Sequence, residues 1–237
     1  WLAAHLPVRK LDIFHAIGTL VSAIPGKYLL IAEQECGCVA LDYIISLLYG
    51  GVDKKIYDEV DERIGQVDPA SNRVVFLPWL YGERVPIDDP FVRGALFNVS
   101  LSDTRFHMLE AVMEGIALNI KWAQVYFEKL LGMRVQRLYV VGGGAMWNSL
   151  CQIIADASRA EVWRMNIMRE ASAIGSAVIG VRGLGLGDFN YAKKIAKPER
   201  IFKPRGNLEE VFERKLKLLI KTYRSNRGLY KYLNKLS

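Results

Sequence analysis

The sequence predicts an α/β domain in which helices flank a mixed sheet, followed by a C-terminal helical tail. Three observations lead to this fold class. Strand-like segments and segments with apolar residues at three- and four-residue steps alternate along the 237 residues. An apolar run at residues 137–141 breaks into three glycines and continues as an amphipathic helix. A basic stretch with helical periodicity comes last.

The first third of the chain is predicted to hold two strands and two helices. Apolar residues alternate with small or polar ones at residues 1–8 and 27–35, which favours strands of a mixed or antiparallel sheet. The helices cover residues 38–51, where a Gly-Gly pair ends the pattern, and residues 53–66, with Asp53 as N-cap.

The middle of the chain combines a short strand with the longest helix. A strand is predicted at residues 74–80, and a loop rich in Pro, Gly and Asp follows at residues 81–94. Apolar residues then repeat at helical spacing over residues 104–131, and Gly132 is the expected C-terminal stop.

The last part of the chain returns to alternating strands and helices. It comprises the strand–glycine–helix unit at residues 137–157, a strand at 160–165 and an Ala/Gly-rich helix at 170–185. A basic amphipathic helix is predicted from about residue 208 to 236.

Composition indicates a globular protein with reduced thiols. Apolar residues make up 51% and charged residues 24%. Apolar runs stop well before the roughly 18 residues that a membrane-spanning helix requires, so no membrane segment is predicted. The three cysteines, Cys36, Cys38 and Cys151, form no CxxC pair, and the three histidines are scattered. This pattern argues against zinc or disulfides and predicts a cytoplasmic protein.

The positive charge is concentrated in the tail. From Lys193 onward, 14 Lys and Arg face 4 Glu, a net charge of +10, whereas residues 1–192 carry 18 against 21, a net charge of −3. Such a tail could contact nucleic acid, but a helix docked on the domain with a solvated basic face is favoured. The apolar stripe that predicts docking is Leu208, Val211, Phe212, Leu216, Leu219, Ile220 and Tyr223.

Acidic residues in the loop offer paired carboxylates. Asp88 and Asp89 precede Pro90, and this context favours a turn over a catalytic pair. Glu83 and Arg84 could line a cleft or form an ion pair within the loop, and the ion pair is favoured.

The glycine turn fits neither of two common nucleotide motifs. A dinucleotide fingerprint places Gly or Ala where this chain has Trp147, three residues after Gly144. A phosphate-binding Walker loop requires Lys-Ser/Thr after the glycines, and none follows. Two interpretations stay open: a turn without a ligand, or a bare main chain and helix N-terminus that approach a phosphate.

Three segments that follow one another along the chain are more specific, taken together, than the glycine turn alone. They are LPWLYGERVPIDDPFVRGALFNVSLSDTRFHMLEAVMEGIALNI, YVVGGGAMWNSLCQIIADASRAEV and EASAIGSAVIGVRGLGLGD. Together they resemble the C-terminal half of the FGGY family of carbohydrate kinases, most of all its xylulose-kinase branch, as do residues 1–7 and 24–35. The positions that match the family's second signature are Gly94, Leu96, Val99, His107, Ala111 and Glu114. Asn98 departs from it, because the signature has glycine there.

The resemblance implies an actin-like ATPase (ribonuclease H-like) domain with ATP in the cleft between two domains. It places Gly143, Gly144 and Ala145 against the ribose and α-phosphate of ATP, and Asn148 at the adenosine. Apart from the resemblance, Asn148 is equally explained as a helix-start residue.

A second wall of the adenine site is implied on the helix after residue 37. There the family usually has a glycine and, four residues later, a glutamine, whereas this chain has Cys38 and Asp42. The departure bears on the shape of the adenine pocket.

By the same resemblance, the machinery for catalysis is divided. The Asp base and most sugar contacts belong to the family's N-terminal domain, and a Gly-Thr-Ser phosphate loop precedes the segment that matches Trp1. The chain is therefore expected to be the ATP-side lobe of a sugar kinase that uses Mg²⁺, inactive without its N-terminal domain. Its predicted partners are ATP, a small sugar and that domain, and homodimerisation is left open.

The expected division of the chain is a kinase domain at residues 1–190 and a basic helical extension at residues 191–237. Two other functions are retained as alternatives: a non-catalytic actin-like scaffold and a nucleic-acid-binding module.

Overall fold

The computed structural model describes residues 1–235, and within them helices pack around three small sheets. The strands are β1 (Leu2–Leu6), β2 (Gly18–Val21), β3 (Tyr28–Ala32), β4 (Val75–Leu77), β5 (Ala95–Phe97), β6 (Arg137–Val140), β7 (Glu161–Met165) and β8 (Pro198–Phe202). The helices are α1 (Cys38–Tyr49), α2 (Lys54–Ile64), α3 (Arg105–Leu131), α4 (Asn148–Ser158), α5 (Ala171–Gly183), α6 (Asn190–Ile195) and α7 (Glu209–Asn234). None of the described helices is long and apolar enough to cross a membrane.

Two three-stranded sheets and one two-stranded sheet make up the β-structure of the described residues. In the first sheet β3 lies between β1 and β2 and is antiparallel to both, with Leu2 opposite Ala32. In another, β7 lies between β6 and β8, parallel to the former and antiparallel to the latter. Strands β4 and β5 pair with each other. Each of β1 and β6 therefore has one strand partner within residues 1–235.

Helix α3 lies at the centre of the fold. Its amino end is fixed by Thr104, whose N–H donates to Nδ1 of His107 at 3.0 Å, and its carboxyl end by Gly132 in the left-handed conformation. Every residue from 109 to 119 is buried, because α1, α2, α4, α7, β1 and β4 all pack around the helix. Such a position demands partners for any polar side chain that α3 carries inward.

Helix α7 is docked through the stripe that the sequence predicts. Its buried side chains are Phe212, Leu216, Leu219, Tyr223 and Tyr230, and they belong to the same core cluster as α3 and α4. The Tyr223 hydroxyl donates to Asp89 Oδ2 at 2.9 Å. The basic residues of α7 mostly remain on its solvated face, so the amphipathic prediction is confirmed.

The acidic loop differs from its prediction in one respect. Asp88 is exposed, and its positive φ of 41° fits the predicted turn. Asp89 is buried and accepts hydrogen bonds from the Phe91 N–H and from Tyr223. It therefore anchors α7 as well as forming the turn, a role that the local sequence does not reveal.

The predicted helices and strands are present, but four short elements are absent from the sequence-based expectation. The predicted Asp53 cap is confirmed, since its carboxylate accepts from the Ile56 N–H at 2.8 Å. Strands β2, β5 and β8 and helix α6 were not predicted; β8 begins with proline and is largely exposed, as edge strands are. The predicted end of the last helix, residue 236, lies outside the described residues.

The boundary between the predicted kinase domain and its extension stays a prediction. Two elements beyond residue 190 are integrated with the rest of the fold. Strand β8 pairs with β7, and α7 packs on α3 and α4.

Glu114 of α3 and Lys215 of α7 form a buried ion pair. Lys215 Nζ lies 2.6 Å from Glu114 Oε2, and Glu110 lies one helical turn away, bonded to Asn72 Nδ2 at 2.7 Å. Burial raises the pKa of Glu114 to about 8, although Lys215 opposes the shift. Because the folded-state pKa exceeds the unfolded one, the stability contributed by this carboxyl is complete below the unfolded pKa and is lost as the pH rises through the folded pKa.

We expect Lys215→Met to cost more stability at about pH 9 than at about pH 6. Removing the cation raises the folded-state pKa of Glu114 further. For each pH unit between the wild-type and variant pKa values, the variant loses roughly 1.4 kcal/mol more stability than the wild type. Urea unfolding at both pH values measures this difference. Lys217→Met, an exposed change on the same helix, serves as control. An equal loss for Lys215→Met at both pH values would contradict the account.

Candidate functional site

The glycine turn connects β6 to α4 at the carboxyl end of the strand. Gly142 has φ of +89°, a conformation that favours glycine, and its N–H donates to the Met168 carbonyl at 2.7 Å. A single turn of 3₁₀-helix follows at Gly143–Met146, and α4 begins at Asn148. The chain therefore presents main chain, without bulky side chains, next to the strand end.

The turn lies against the start of α1. A Cβ on Gly144 would lie 2.8 Å from Cys38 Sγ, so a side chain there would displace the thiol. A Cβ on Gly143 would meet nothing within 4 Å. The structure thus brings together two segments that are about a hundred residues apart and that the resemblance assigns to one nucleotide site.

A cavity of about 500 Å³ opens where these segments meet. Of the six predicted site residues, Gly143, Gly144 and Cys38 line it. Its floor is apolar and comes from Ile116, Ile120, Leu150 and Ile154. Gln34 also lines the cavity, and its Nε2 is buried with no partner among the described residues. A hydrogen-bond acceptor that enters the cavity would meet this unpaired donor.

Ala145 and Asn148 do not line this cavity. Ala145 is fully buried in the core. The Asn148 amide is already bonded within the protein: Nδ2 donates to Asp61 at 2.9 Å, and Oδ1 accepts from Arg164 and Arg200 at 3.0 and 2.9 Å. Asn148 is therefore held in one orientation by neighbouring charged side chains.

Asp61 of α2 caps helix α4. Its carboxylate accepts from the N–H of Asn148 at 3.0 Å, from the N–H of Ser149 at 2.8 Å, and from the Ser149 hydroxyl. The expectation that the start of α4 offers free N–H groups is wrong for these two amides, because a carboxylate from another helix already occupies them. The sequence did not reveal Asp61, since nothing local links it to a helix 87 residues later.

Asp42 lies one turn after Cys38 but points to other partners. It accepts a hydrogen bond from the Tyr57 hydroxyl at 3.1 Å. The Tyr57 ring meets Trp147 edge-on at 5.0 Å between ring centroids. Asp42 therefore connects α1 to α2 beside the start of α4, outside the lining of the cavity.

Glu83 fixes the segment that leads into α1. It is buried and accepts from the N–H groups of Glu35 and Arg84, both at 2.9 Å, and from Asn119 Nδ2 at 2.6 Å. Burial is also the main cause that raises its pKa. The ion pair predicted within this loop is wrong, because Arg84 pairs instead with Glu33 at 2.6 Å and Glu35 at 3.0 Å, both in the segment before α1.

The chemistry available in this region is that of binding. The pKa of Cys38 is raised to about 11 and that of Cys151 to about 12, mainly by burial, so both thiols are protonated and poor nucleophiles at neutral pH. Among residues 1–235, no group of three or more His, Cys, Asp or Glu side chains could hold a metal ion.

The structure explains one departure from the family signature, the asparagine at position 98 in place of glycine. Its φ is +63°, the left-handed conformation that glycine adopts freely and that asparagine tolerates better than most residues. Its Nδ2 also donates to the Arg73 carbonyl at 3.1 Å. The backbone conformation is therefore compatible with glycine at this position.

Asp61→Ala should destabilise the chain by about 2 kcal/mol. The substitution removes the cap of α4 and the carboxylate that accepts the hydrogen bond from Asn148 Nδ2. Urea unfolding followed by circular dichroism measures the loss. Asp58→Ala changes an exposed carboxylate on the same helix and should shift stability by less than about 0.5 kcal/mol. Equal effects of the two substitutions would show that the cap contributes nothing.

Comparison with known proteins gives a consistent result. The profile of the FGGY family of carbohydrate kinases, C-terminal domain, matches residues 9–184. The chain is 30% identical over 132 residues to the xylulose kinase of Lactococcus lactis, covering 56% of this chain and 26% of that protein. It is 33% identical over 161 residues to the glycerol kinase of Haemophilus influenzae, covering 66% of this chain and 31% of that protein.

A solved structure extends the likeness to nearly the whole chain. The ligand-bound xylulose kinase from Lactobacillus acidophilus superposes with a TM-score of 0.83 at 19% identity, covering 98% of this chain and 46% of that one. The chain spans less than half the length of these relatives. The predicted actin-like ATPase fold is confirmed. The chain belongs to the FGGY family of carbohydrate kinases, and residues 9–184 match its C-terminal domain.

Proposed function

We propose that this chain is the ATP-binding lobe of a sugar kinase of the xylulose type. The observation that carries the proposal is the meeting of the bare glycine turn, Gly143 and Gly144, with the start of α1 at one cavity. Two of the relatives reported above are xylulose kinases, which supports the finer assignment. The relatives also include a glycerol kinase and gluconokinases, so the class of substrate is a small polyol or sugar.

The residues of the chain would bind and orient the nucleotide. Main chain at Gly143 can approach a ribose or phosphate closely, since no side chain intervenes. Cys38 would supply an apolar contact, because its thiol is protonated. Asn148 lies outside the cavity lining and is held by Asp61, Arg164 and Arg200, so it would fix the start of α4 behind the glycine turn rather than contact the adenosine.

The described residues do not fit a resident metal site, since they hold no suitable cluster of ligands. Mg²⁺ would therefore be bound mainly by the nucleotide phosphates and by groups outside this chain. The base that removes the proton of the sugar hydroxyl is likewise assigned to the N-terminal domain of the family. On this basis the chain alone binds nucleotide weakly and transfers no phosphoryl group, and activity requires the two lobes to close on each other.

Titration of the ¹⁵N-labelled chain with Mg²⁺ and a non-hydrolysable ATP analogue tests the proposal. We expect chemical-shift changes centred on the amides of Cys38, Gly143 and Gly144. Gly144→Val should weaken binding at least tenfold, about 1.4 kcal/mol, because its side chain meets Cys38. Gly175→Val, at an open position on α5, is the matched control and should leave binding unchanged.

Two outcomes would contradict the proposal. Shift changes confined to surfaces away from the glycine turn would reject the site. Efficient phosphorylation of xylulose by these 237 residues alone would reject the division of labour between the two lobes.

A further inference from the structure

The solvent-exposed side of α7 carries a row of cations. Its members are separated by three, four or seven residues, so they lie along one face of the helix. All of them are exposed, and they are Arg214, Lys217, Lys221, Arg224 and Lys231. At 1.5 Å of rise per residue the row is about 25 Å long. We call it the basic row.

No carboxylate of α7 neutralises the basic row. The acidic residues of the helix lie in its first five positions, and residues 214–235 contain none. Within the part of the chain that the structure describes, no member of the row forms an ion pair, whereas Lys215 and Arg227 pair with buried carboxylates of the domain. Like charges three or four residues apart destabilise a helix, so an anionic partner would relieve a cost that the free chain carries.

Bulky apolar side chains lie along one side of the basic row. Leu218, Leu229 and Tyr232 are separated by eleven and three residues, which returns each to the same helical face. They are 43%, 54% and 72% exposed, and Leu233 beside them is 59% exposed. The outer surface of α7 is therefore positive along one strip and apolar along the next.

This surface faces away from the cavity at the glycine turn. Helix α7 contacts α3 at Glu114 and Trp122. The cavity is lined instead by Ile116 and Ile120 of α3. Positions two residues apart lie on nearly opposite sides of a helix, so α7 and the cavity are on opposite sides of α3. A partner on the outer surface of α7 would leave the cavity open.

We propose that the basic row and the apolar strip beside it form a reversible docking surface for an anionic lipid bilayer. A bilayer presents negative headgroups to the cations and, just beneath them, hydrocarbon to Leu229 and Tyr232. Helix α7 stays docked on the domain through its buried face, so only side chains of the opposite face enter the interface. Residues 1–192 carry a net charge of −3, which favours approach through α7 rather than through another side.

Nucleic acid is the other polyanion that the basic row could meet. Its phosphates would neutralise the cations, but a phosphate backbone would leave the exposed Leu and Tyr side chains of the adjacent strip in water. A bilayer interface accommodates both strips at once, so the apolar strip favours lipid. The proposal is independent of nucleotide binding.

Co-sedimentation of the 237-residue chain with lipid vesicles tests this proposal. We expect binding to vesicles with about 30% phosphatidylserine in phosphatidylcholine, and at least tenfold weaker binding to phosphatidylcholine alone or in about 0.5 M NaCl. The triple variant Lys217→Gln, Lys221→Gln, Arg224→Gln should bind the anionic vesicles at least tenfold more weakly.

The matched control removes the same number of exposed positive charges from other elements. It is the triple variant Lys27→Gln, Lys54→Gln, Lys55→Gln, and it should retain binding to the anionic vesicles within about twofold. Circular dichroism checks that both triple variants keep their helix content.

A second variant distinguishes lipid from nucleic acid. Leu229→Ser combined with Tyr232→Ser keeps every charge of α7 and removes two exposed apolar side chains. We expect it to bind the anionic vesicles at least tenfold more weakly, because less apolar surface enters the bilayer. Any binding of the chain to generic duplex DNA should be unchanged by this variant.

Three results would overturn the proposal. Equal binding to both kinds of vesicle, or binding to neither, would reject an anionic bilayer as the partner. Unchanged binding of the Lys217, Lys221 and Arg224 triple variant would show that cations elsewhere carry the interaction. Unchanged vesicle binding by the Leu229 and Tyr232 variant, with tighter binding of the chain to duplex DNA than to vesicles, would identify nucleic acid as the partner.

Discussion

The buried polar side chains of α3 set the arrangement of everything around it. A polar group in the core needs a partner in a defined place, or it costs free energy. Asn119 bonds Glu83 in the loop region, Glu114 bonds Lys215 of α7, and Gln124 bonds the Ser158 carbonyl at the end of α4. Each bond joins α3 to a different segment, so apolar packing and polar pairing specify one arrangement together.

The two walls of the candidate site depend on carboxylates that do not touch the cavity. Glu83 joins Asn119 of α3 to the Glu35 N–H and so fixes the segment before Cys38. Asp61 holds the first amides of α4 and so fixes the end of the glycine turn. The carboxylates of Glu83 and Asp61 belong to other segments of the chain. The glycine turn can therefore lack bulky side chains at Gly142, Gly143 and Gly144 and still keep its shape.

Sequence patterns predicted the parts of the fold that repeat a local rule. The long helices follow their apolar periodicity and caps, as the Asp53 cap of α2 does. The resemblance to a known family located the glycine turn. Sequence patterns do not predict short edge strands such as β8, because partner strands rather than their own residues stabilise them. Sequence patterns also do not predict the roles of Asp61 and Asp89, because their hydrogen-bond partners lie 87 and 134 residues away.

The central claim, that α3 fixes the segment entering α1 through Glu83, is tested most directly by hydrogen exchange of the Glu35 amide. Asn119→Leu removes the side-chain donor to Glu83, while Gln124→Leu removes a different buried amide of the same helix. After correction for global stability, the account predicts that the Glu35 amide exchanges at least tenfold faster in Asn119→Leu than in Gln124→Leu. Equal exchange in the two variants would contradict it.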